Sequence, residues 1–234
     1  MAEIIKINDT TWRIEDSGVR FFLLAGTEKA LLIDSGMRTP DAKQIAESFT
    51  KLPIMLLNTH ADPDHISGNG SFERFYMHPD EEENYRAHGG AGTIVPINDN
   101  DIIDLGNRPL KIIFIPGHTP GSIAILDINN RVLISGDSVQ DGNIFMFKER
   151  RNLPLYAESM KKLSLYINEF DTIYPSHGSF PVSPDLIPKL REGAEQIING
   201  TARGEVISMF GAPVMLYKFP YAGFFCDVPK NNKS

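Results

Sequence analysis

The chain has 234 residues, 41% hydrophobic and 23% charged, with a formal net charge of -7 and a single cysteine, Cys226. This composition leaves room for a sizeable core, the acidic balance argues against a nucleic-acid partner, which wants a basic face, and one cysteine excludes an internal disulfide. Met1-Ala2-Glu3-Ile4-Ile5-Lys6 lacks the basic start and apolar stretch of a secretory leader, and no apolar run approaches the length of a membrane span, so a cytoplasmic location without a membrane partner is expected.

Residues 3–34 read as a β-meander. Residues 4–7, 11–14, 19–24 and 30–33 are β-prone runs, punctuated by Asn8-Asp9, Asp16-Ser17-Gly18 and Gly26-Thr27-Glu28. Thr39-Pro40-Asp41 reads as a helix start, with Thr39 as the capping hydroxyl and Pro40 at the first helical position. Ala42, Ile45, Ala46 and Phe49 follow at helical spacing. Residues 53–57 form a short apolar run ahead of polar and turn residues, the pattern of a buried strand ending in a loop. Residues 66–70 read as a short helical turn and Phe75-Tyr76-Met77 as a strand. Glu81-Glu82-Glu83 opens a helix whose acids are read as a solvated surface, and residues 88–92 as a flexible loop. Residues 102–105 and 110–115 are the next strands, and residues 123–126 and 131–134 form a hairpin over Asn129-Asn130. Residues 154–168 are predicted helical, with Tyr156, Met160, Leu163 and Ile167 on one face. Ser183-Pro184-Asp185 starts a last helix carrying Leu186, Leu190, Ala194 and Ile197, with Gly200 as its stop. The tail, residues 219–229, is apolar and aromatic and is expected to close the core or form a pocket wall. No repeat or low-complexity linker divides the chain, so one domain over residues 1–234 is expected, with two β-sheets face to face and helices outside.

Four of the strand-like runs end in side chains that can give a lone pair to a cation. His60-Ala61-Asp62-Pro63-Asp64-His65 follows the run at 53–57, and Pro63 keeps that loop from becoming helix. His118 follows 110–115 across Pro116-Gly117, Asp137 follows 131–135 across Gly136, and His177 follows 171–174 across Pro175-Ser176. If those strands lie side by side, seven donors meet at one rim, where loops on a rigid sheet build sites. Imidazole together with carboxylate suits zinc, iron or manganese. The other two histidines read differently: His78, before Pro79 and Asp80, as structural, and His88 as a loop residue. Cys226 reads as a packed small residue, and Tyr221, Phe224 and Phe225 as core.

In the order His60-x-Asp62-x-Asp64-His65, His118, Asp137, His177, with Leu31-Leu32-Ile33-Asp34-Ser35-Gly36 as an early strand and turn, the chain resembles the metallo-β-lactamase-fold hydrolases over most of its length. The resemblance implies an α+β fold, the four-layer αββα sandwich. It also implies a first metal held by His60, Asp62 and His118, a second held by Asp64, His65 and His177, and Asp137 as a bridge. One position departs: the family usually has His where this chain has Asp62. The diiron flavoproteins of the same fold have Glu there, so a carboxylate can serve as a ligand. Two divalent metal ions are therefore expected, zinc first, while the harder carboxylate moves preference towards iron or manganese. Two neighbouring cations share a water and lower its pKa, so that hydroxide is present at neutral pH to attack a carbonyl or phosphorus. One metal stabilises the developing oxyanion, and Asp64 is the expected catalytic residue, orienting the nucleophile. Asp34 is expected to brace the loop of His60, and Thr59, Thr119 and Ser176 to hydrogen-bond the ligand loops.

The function expected from this reading is a dinuclear metal-dependent hydrolase of a small ester, thioester, lactone or related bond. Its partner is a small-molecule substrate, and a homodimer is left open. A glyoxalase-II-like thioesterase would carry a C-terminal basic cluster for glutathione, whereas Lys189, Arg191 and Arg203 are scattered. The alternative is a diiron redox module handling oxygen or nitric oxide, motivated by Asp62 but lacking a flavin domain. A third reading is a non-catalytic metal-binding module.

Overall fold

Alternating apolar residues build the first sheet. The computed structural model describes residues 2–229; Met1 and residues 230–234, the two ends of the domain expected over 1–234, lie outside the described residues. β1 (Glu3–Asn8), β2 (Thr11–Asp16), β3 (Val19–Ala25) and β4 (Ala30–Ile33) form the antiparallel meander read from the sequence. After α1 (Ala42–Glu47), β5 (Ile54–Leu57) joins β4 in parallel. β6 (Arg74–Met77) follows, then α2 (Glu82–Ala87) and β7 (Thr93–Pro96), so the seven strands lie side by side in chain order. β7 was not foreseen: Thr93-Ile94-Val95 is β-branched, but it follows a glycine-rich loop and is too short to show a period.

The chain continues through β8 (Ile102–Asp104), β9 (Pro109–Phe114), β10 (Ile123–Asp127), β11 (Val132–Gly136), β12 (Asn143–Met146), α3 (Leu153–Ser164), β13 (Thr172–Pro175) and α4 (Leu186–Ile198). It ends in β14 (Gly204–Met209), β15 (Ala212–Phe219) and β16 (Ala222–Cys226). A second sheet has the order β13-β11-β10-β9-β8, and a third, four-stranded sheet the order β12-β16-β15-β14.

Period-2 alternation sorts the strand residues into three apolar layers. Phe22, Leu24, Leu31 and Ile33 from the first sheet meet Ile112, Ile123, Ile125 and Ile134 from the second, between the sheets. Phe21, Leu23 and Leu32 face outward and are covered by Ala42 and Ala46 of α1 and Tyr85 of α2. Ile113, Ala124 and Leu133 face the other way, under Tyr156, Met160 and Leu163 of α3 and Leu190 and Ala194 of α4. This is the α+β, four-layer αββα sandwich that the sequence led us to expect. The third sheet is an addition: Phe224 of β16 joins the helix-covered layer, and Phe225, on the opposite face of the strand, packs with Phe147, Val214 and Leu216.

Two helix readings are corrected. Asp41 is the N-cap of α1 and makes no side-chain cap bond. The Thr39 hydroxyl instead donates to the Asp16 carboxylate at 2.6 Å, a partner remote in sequence. α1 ends at Glu47, and Phe49, beyond it, tilts against Trp12. α3 stops at Ser164 rather than running to 168, and the turns that follow bring Phe170 into the core. Its start is capped as a helix should be, with the Asn152 side chain accepting from Leu155 N at 2.9 Å. α4 ends as expected, with Gly200 in the left-handed region at φ 69°. No helix among the described residues is long and apolar enough to cross a membrane.

Candidate metal centre

The ends of β5 in one sheet and of β9, β11 and β13 in the other open onto one rim. A backbone bond from Ile123 N to Thr59 O at 3.0 Å ties the two sheets together there. Two glycines permit the close approach. A Cβ on Gly136 (φ 53°) would lie 2.8 Å from Thr59 Oγ1, and one on Gly117 (φ 135°) would lie 2.4 Å from Tyr156 N.

All seven donors named from the sequence are brought together there, in two groups. Asp64, His65, Asp137 and His177 form one and His60, Asp62 and His118 the other, with ligand atoms within 4.8 Å of one another in each. Asp62 Oδ2 lies 3.6 Å from His60 Nε2 and 3.4 Å from His118 Nε2. Asp64 Oδ2 lies 3.2 Å from His177 Nε2 and 3.7 Å from His65 Nε2. Asp137 reaches both groups: Oδ1 is 3.2 Å from His65 Nε2, and Oδ2 is 3.4 Å from His177 Nε2 and 3.6 Å from His118 Nε2.

Each imidazole is anchored by its other nitrogen. His118 Nδ1 donates to Phe145 O at 3.1 Å and His177 Nδ1 to Gly18 O at 2.8 Å. His65 Nδ1 donates to Asp34 Oδ2 at 2.9 Å. His60 Nδ1 donates to the Thr59 hydroxyl at 2.9 Å, and that hydroxyl donates to Asp34 Oδ2 at 2.8 Å. Asp34 Oδ1 also accepts from Thr59 N at 2.7 Å. Asp34 therefore orients two imidazoles, His60 through Thr59 and His65 directly. Thr119 stays within its own loop, bonded to Ser122 Oγ at 2.6 Å, and Ser176 acts through its backbone, accepting from Arg20 N.

Several of the inward atoms lack hydrogen-bond partners. Nε2 of His60, His65 and His118 and Oδ1 of Asp137 are buried and unpaired. Buried polar atoms normally find partners, and nitrogen and carboxylate lone pairs aimed at one point, each braced from behind, fit a divalent transition ion.

Without a cation, protons and ion pairs carry the charge. Burial pushes Asp137 up, but the His177 and His65 charges that face it outweigh burial and hold the carboxyl well below its usual range. Asp62 is likewise held well below, burial being outweighed by the His118 and His60 rings that face it and by the charge of Arg151. Burial lowers His177, yet the charge of Asp137 and bonds to Asp137 and Asp64 raise it to about 10. His65 moves up in the same way, its burial overcome by Asp137, Asp64 and Asp34.

Three supporting residues escaped the sequence reading. Glu81, expected on a wet surface, is buried: Oε2 accepts from Ala61 N at 2.8 Å and Oε1 from Gly121 N at 2.7 Å. It joins the loop of His60 to the loop of His118; only Glu82 and Glu83 are exposed. Arg20 donates to Gly178 O beside His177 and bonds Glu15 at 2.9 Å. Arg151 binds Asp62 at 2.5 Å and His118 O at 2.6 Å. None belongs to a local pattern.

The remaining residues have other places. His78 stacks on Phe114 with centroids 4.2 Å apart, and its Nδ1 accepts from Asp80 N, a structural role. His88 lines the cleft above the centre. Cys226 is buried, its thiol pushed up to about 12 by burial and Asp227, which leaves it inert.

The centre lies in a cleft of about 1310 Å³. Phe145, Phe147, Met209, Phe210 and Phe225 contribute to its lining, together with Lys148 and Arg150. Phe225 is thus both packed and a wall residue, while Phe224 is core alone.

Residues 15–177 match the sequence model of the metallo-beta-lactamase superfamily. Acyl-coenzyme A thioesterase MBLAC2 of Gallus gallus is 26% identical over 207 residues, 70% of this chain and 75% of that protein. A hydroxyacylglutathione hydrolase of Synechococcus sp. is 27% identical over 123 residues, 50% of this chain and 46% of that protein. The solved structure of a metallo-beta-lactamase from Pontibacter korlensis superposes with a TM-score of 0.73 at 17% identity, covering 83% of this chain and 99% of that one, a likeness of fold.

Proposed function

Because this chain belongs to the metallo-beta-lactamase superfamily, we propose that its two histidine–carboxylate groups hold two divalent ions, zinc before iron or manganese, and that it hydrolyses an acyl thioester. That it is a metal-dependent hydrolase follows from the superfamily and its hydrolase relatives. The thioester is our choice among the ester, thioester and lactone bonds that the site chemistry allows. Two relatives are named for thioester cleavage, and the cleft pairs an aromatic wall, suited to an apolar acyl group, with a Lys148–Arg150 rim, suited to an anionic thiol carrier.

The observation that carries the reading is the set of buried, unpartnered Nε2 and carboxylate atoms at the floor of that cleft. His60, Asp62 and His118 would hold one ion and Asp64, His65 and His177 the other, with Asp137 between them because its two oxygens face both groups. Ions there supply Lewis acidity and an acidified water. Asp64, half-buried on the cleft with Oδ2 turned to His177, would orient the attacking water. The aromatic wall excludes solvent from the acyl side.

His65→Ala and Asp137→Ala should each lose zinc, counted by elemental analysis, and acyl-thioester turnover together. A metal-free variant with full turnover would overturn the mechanism. A panel of thioesters, esters and lactones on the zinc-loaded chain tests the substrate; turnover of lactones with none of any thioester would refute that choice. A cytoplasmic location also belongs to this proposal and is read by fractionation; sedimentation decides whether the chain forms the homodimer that its sequence leaves open.

A further inference from the structure

Among the described residues, Arg151 is the cation that enters the first ligand group. Its side chain is 14% exposed, and its fork splits between two members of the group, Nη2 on Asp62 Oδ2 and Nη1 on the His118 carbonyl. Asp62 Oδ2 is also the oxygen that faces His60 Nε2 and His118 Nε2. A carboxylate oxygen has two lone-pair directions, so one atom can accept from the guanidinium and still face the two imidazoles. Among the described residues, the other oxygen, Oδ1, has only a long contact with Asn84 Nδ2, at 3.4 Å. The group of two neutral imidazoles and one carboxylate carries one negative charge, and Arg151 brings its sum to zero. A fixed guanidinium cannot lose its proton, so this offset is permanent.

We infer that Arg151 tunes the metal centre: its fixed charge, seated on Asp62 Oδ2, offsets the carboxylate and so lowers how tightly this group takes a divalent ion. The inference rests on the two-metal reading above. It also bears on the diiron redox alternative, since the extra negative charge that motivated that reading is matched by a neighbouring positive one.

The test is a charge-swap cycle read by metal binding, not by turnover. Metal-free wild type, Arg151→Gln, Arg151→Lys, Asp62→His and the double variant Asp62→His/Arg151→Gln are titrated with zinc against a chromophoric chelator, with zinc per chain counted. Wild type and Arg151→Lys should bind two zinc ions alike. Arg151→Gln, which unmasks the carboxylate charge, should bind the weaker zinc about tenfold tighter or more. Asp62→His leaves a guanidinium without a counter-charge and should lose one zinc. The double variant restores a neutral group and should regain it. A double variant no better than Asp62→His, or Arg151→Gln no tighter than Arg151→Lys, overturns the inference and leaves Arg151 as an anchor of the His118 loop. Should Asp62→His fail to fold, the Gln and Lys variants of Arg151 decide alone. A wild type that takes up no zinc refutes the two-metal reading and this inference with it, whereas wild-type uptake with an inert cycle refutes only the latter.

Discussion

His65 lies between carboxylates with different duties. Asp34 accepts a hydrogen bond from its Nδ1, while Asp137 and Asp64 face its Nε2. Because Asp34 also steers His60 through Thr59, one substitution there disturbs both ligand groups. Asp34→Asn tolerates the same left-handed backbone, φ 63°, but withdraws the charge. We expect zinc affinity to fall by about 10- to 100-fold, measured by chelator competition, with a smaller loss of thermal stability. His177 gives a pH dependence. In the metal-free chain its pKa is raised from 6.5 to about 10, burial being overcome by Asp137 and Asp64. A raised value means stability that is full below about 6.5 and is lost as pH rises through about 10. The melting temperature of the metal-free chain should therefore fall between pH 7 and pH 10, and His177→Gln should flatten that fall; equal slopes in both chains would refute it.

At the scale of elements, the β14–β15 hairpin reaches the cleft with its tip. Phe210 and Gly211 join the strands, both with positive φ, 50° and 75°. Two-residue hairpin turns of that kind favour Asn-Gly, and an aromatic residue in the left-handed region costs about 1–2 kcal/mol. Phe210 is also 77% exposed, so neither turn chemistry nor burial explains it. Its ring lines the cleft, with Lys148 Nζ 5.3 Å from its centre. Phe210→Asn should stabilise the chain by about 1 kcal/mol and raise KM for long-chain thioesters while leaving short-chain ones nearly unchanged. A destabilised variant, or an equal KM change for all chain lengths, would contradict this. The hairpin lies beyond residue 177, outside the stretch that matches the family model. The aromatic wall is thus built in part by a segment that the family match does not cover.

For the whole molecule, the two facing sheets are tied at the far ends of their strands as well. Arg108 pairs with Asp127 at 2.6 Å, both buried, and also donates to Thr10 O, Ala25 O and Thr11 Oγ1 of the first sheet. Arg108→Met would leave a buried carboxylate without its counter-charge, and the expected loss is about 3–5 kcal/mol, measured by denaturant unfolding. A loss under 1 kcal/mol would mean that Asn130, which also bonds Asp127, suffices.

Much of the sandwich, and the seven side chains that converge at the candidate centre, were legible in the chain itself. Strand alternation, glycine and proline turns, and the placing of His118, Asp137 and His177 a residue or two past an apolar run are local patterns, written within a few neighbours. Which residues brace the donors was decided only by tertiary structure. Arg151 meets Asp62 across 89 positions, Glu81 meets Gly121 across 40, and Arg20 meets Gly178 across 158. Glu81 sits in a run of three acids, and composition alone does not show which of them turns inward. The third sheet was hidden for a related reason: β12 pairs with β16 from 80 residues away. A hydrogen bond or ion pair between distant segments leaves no period in the sequence, because its partner is chosen by how the layers pack.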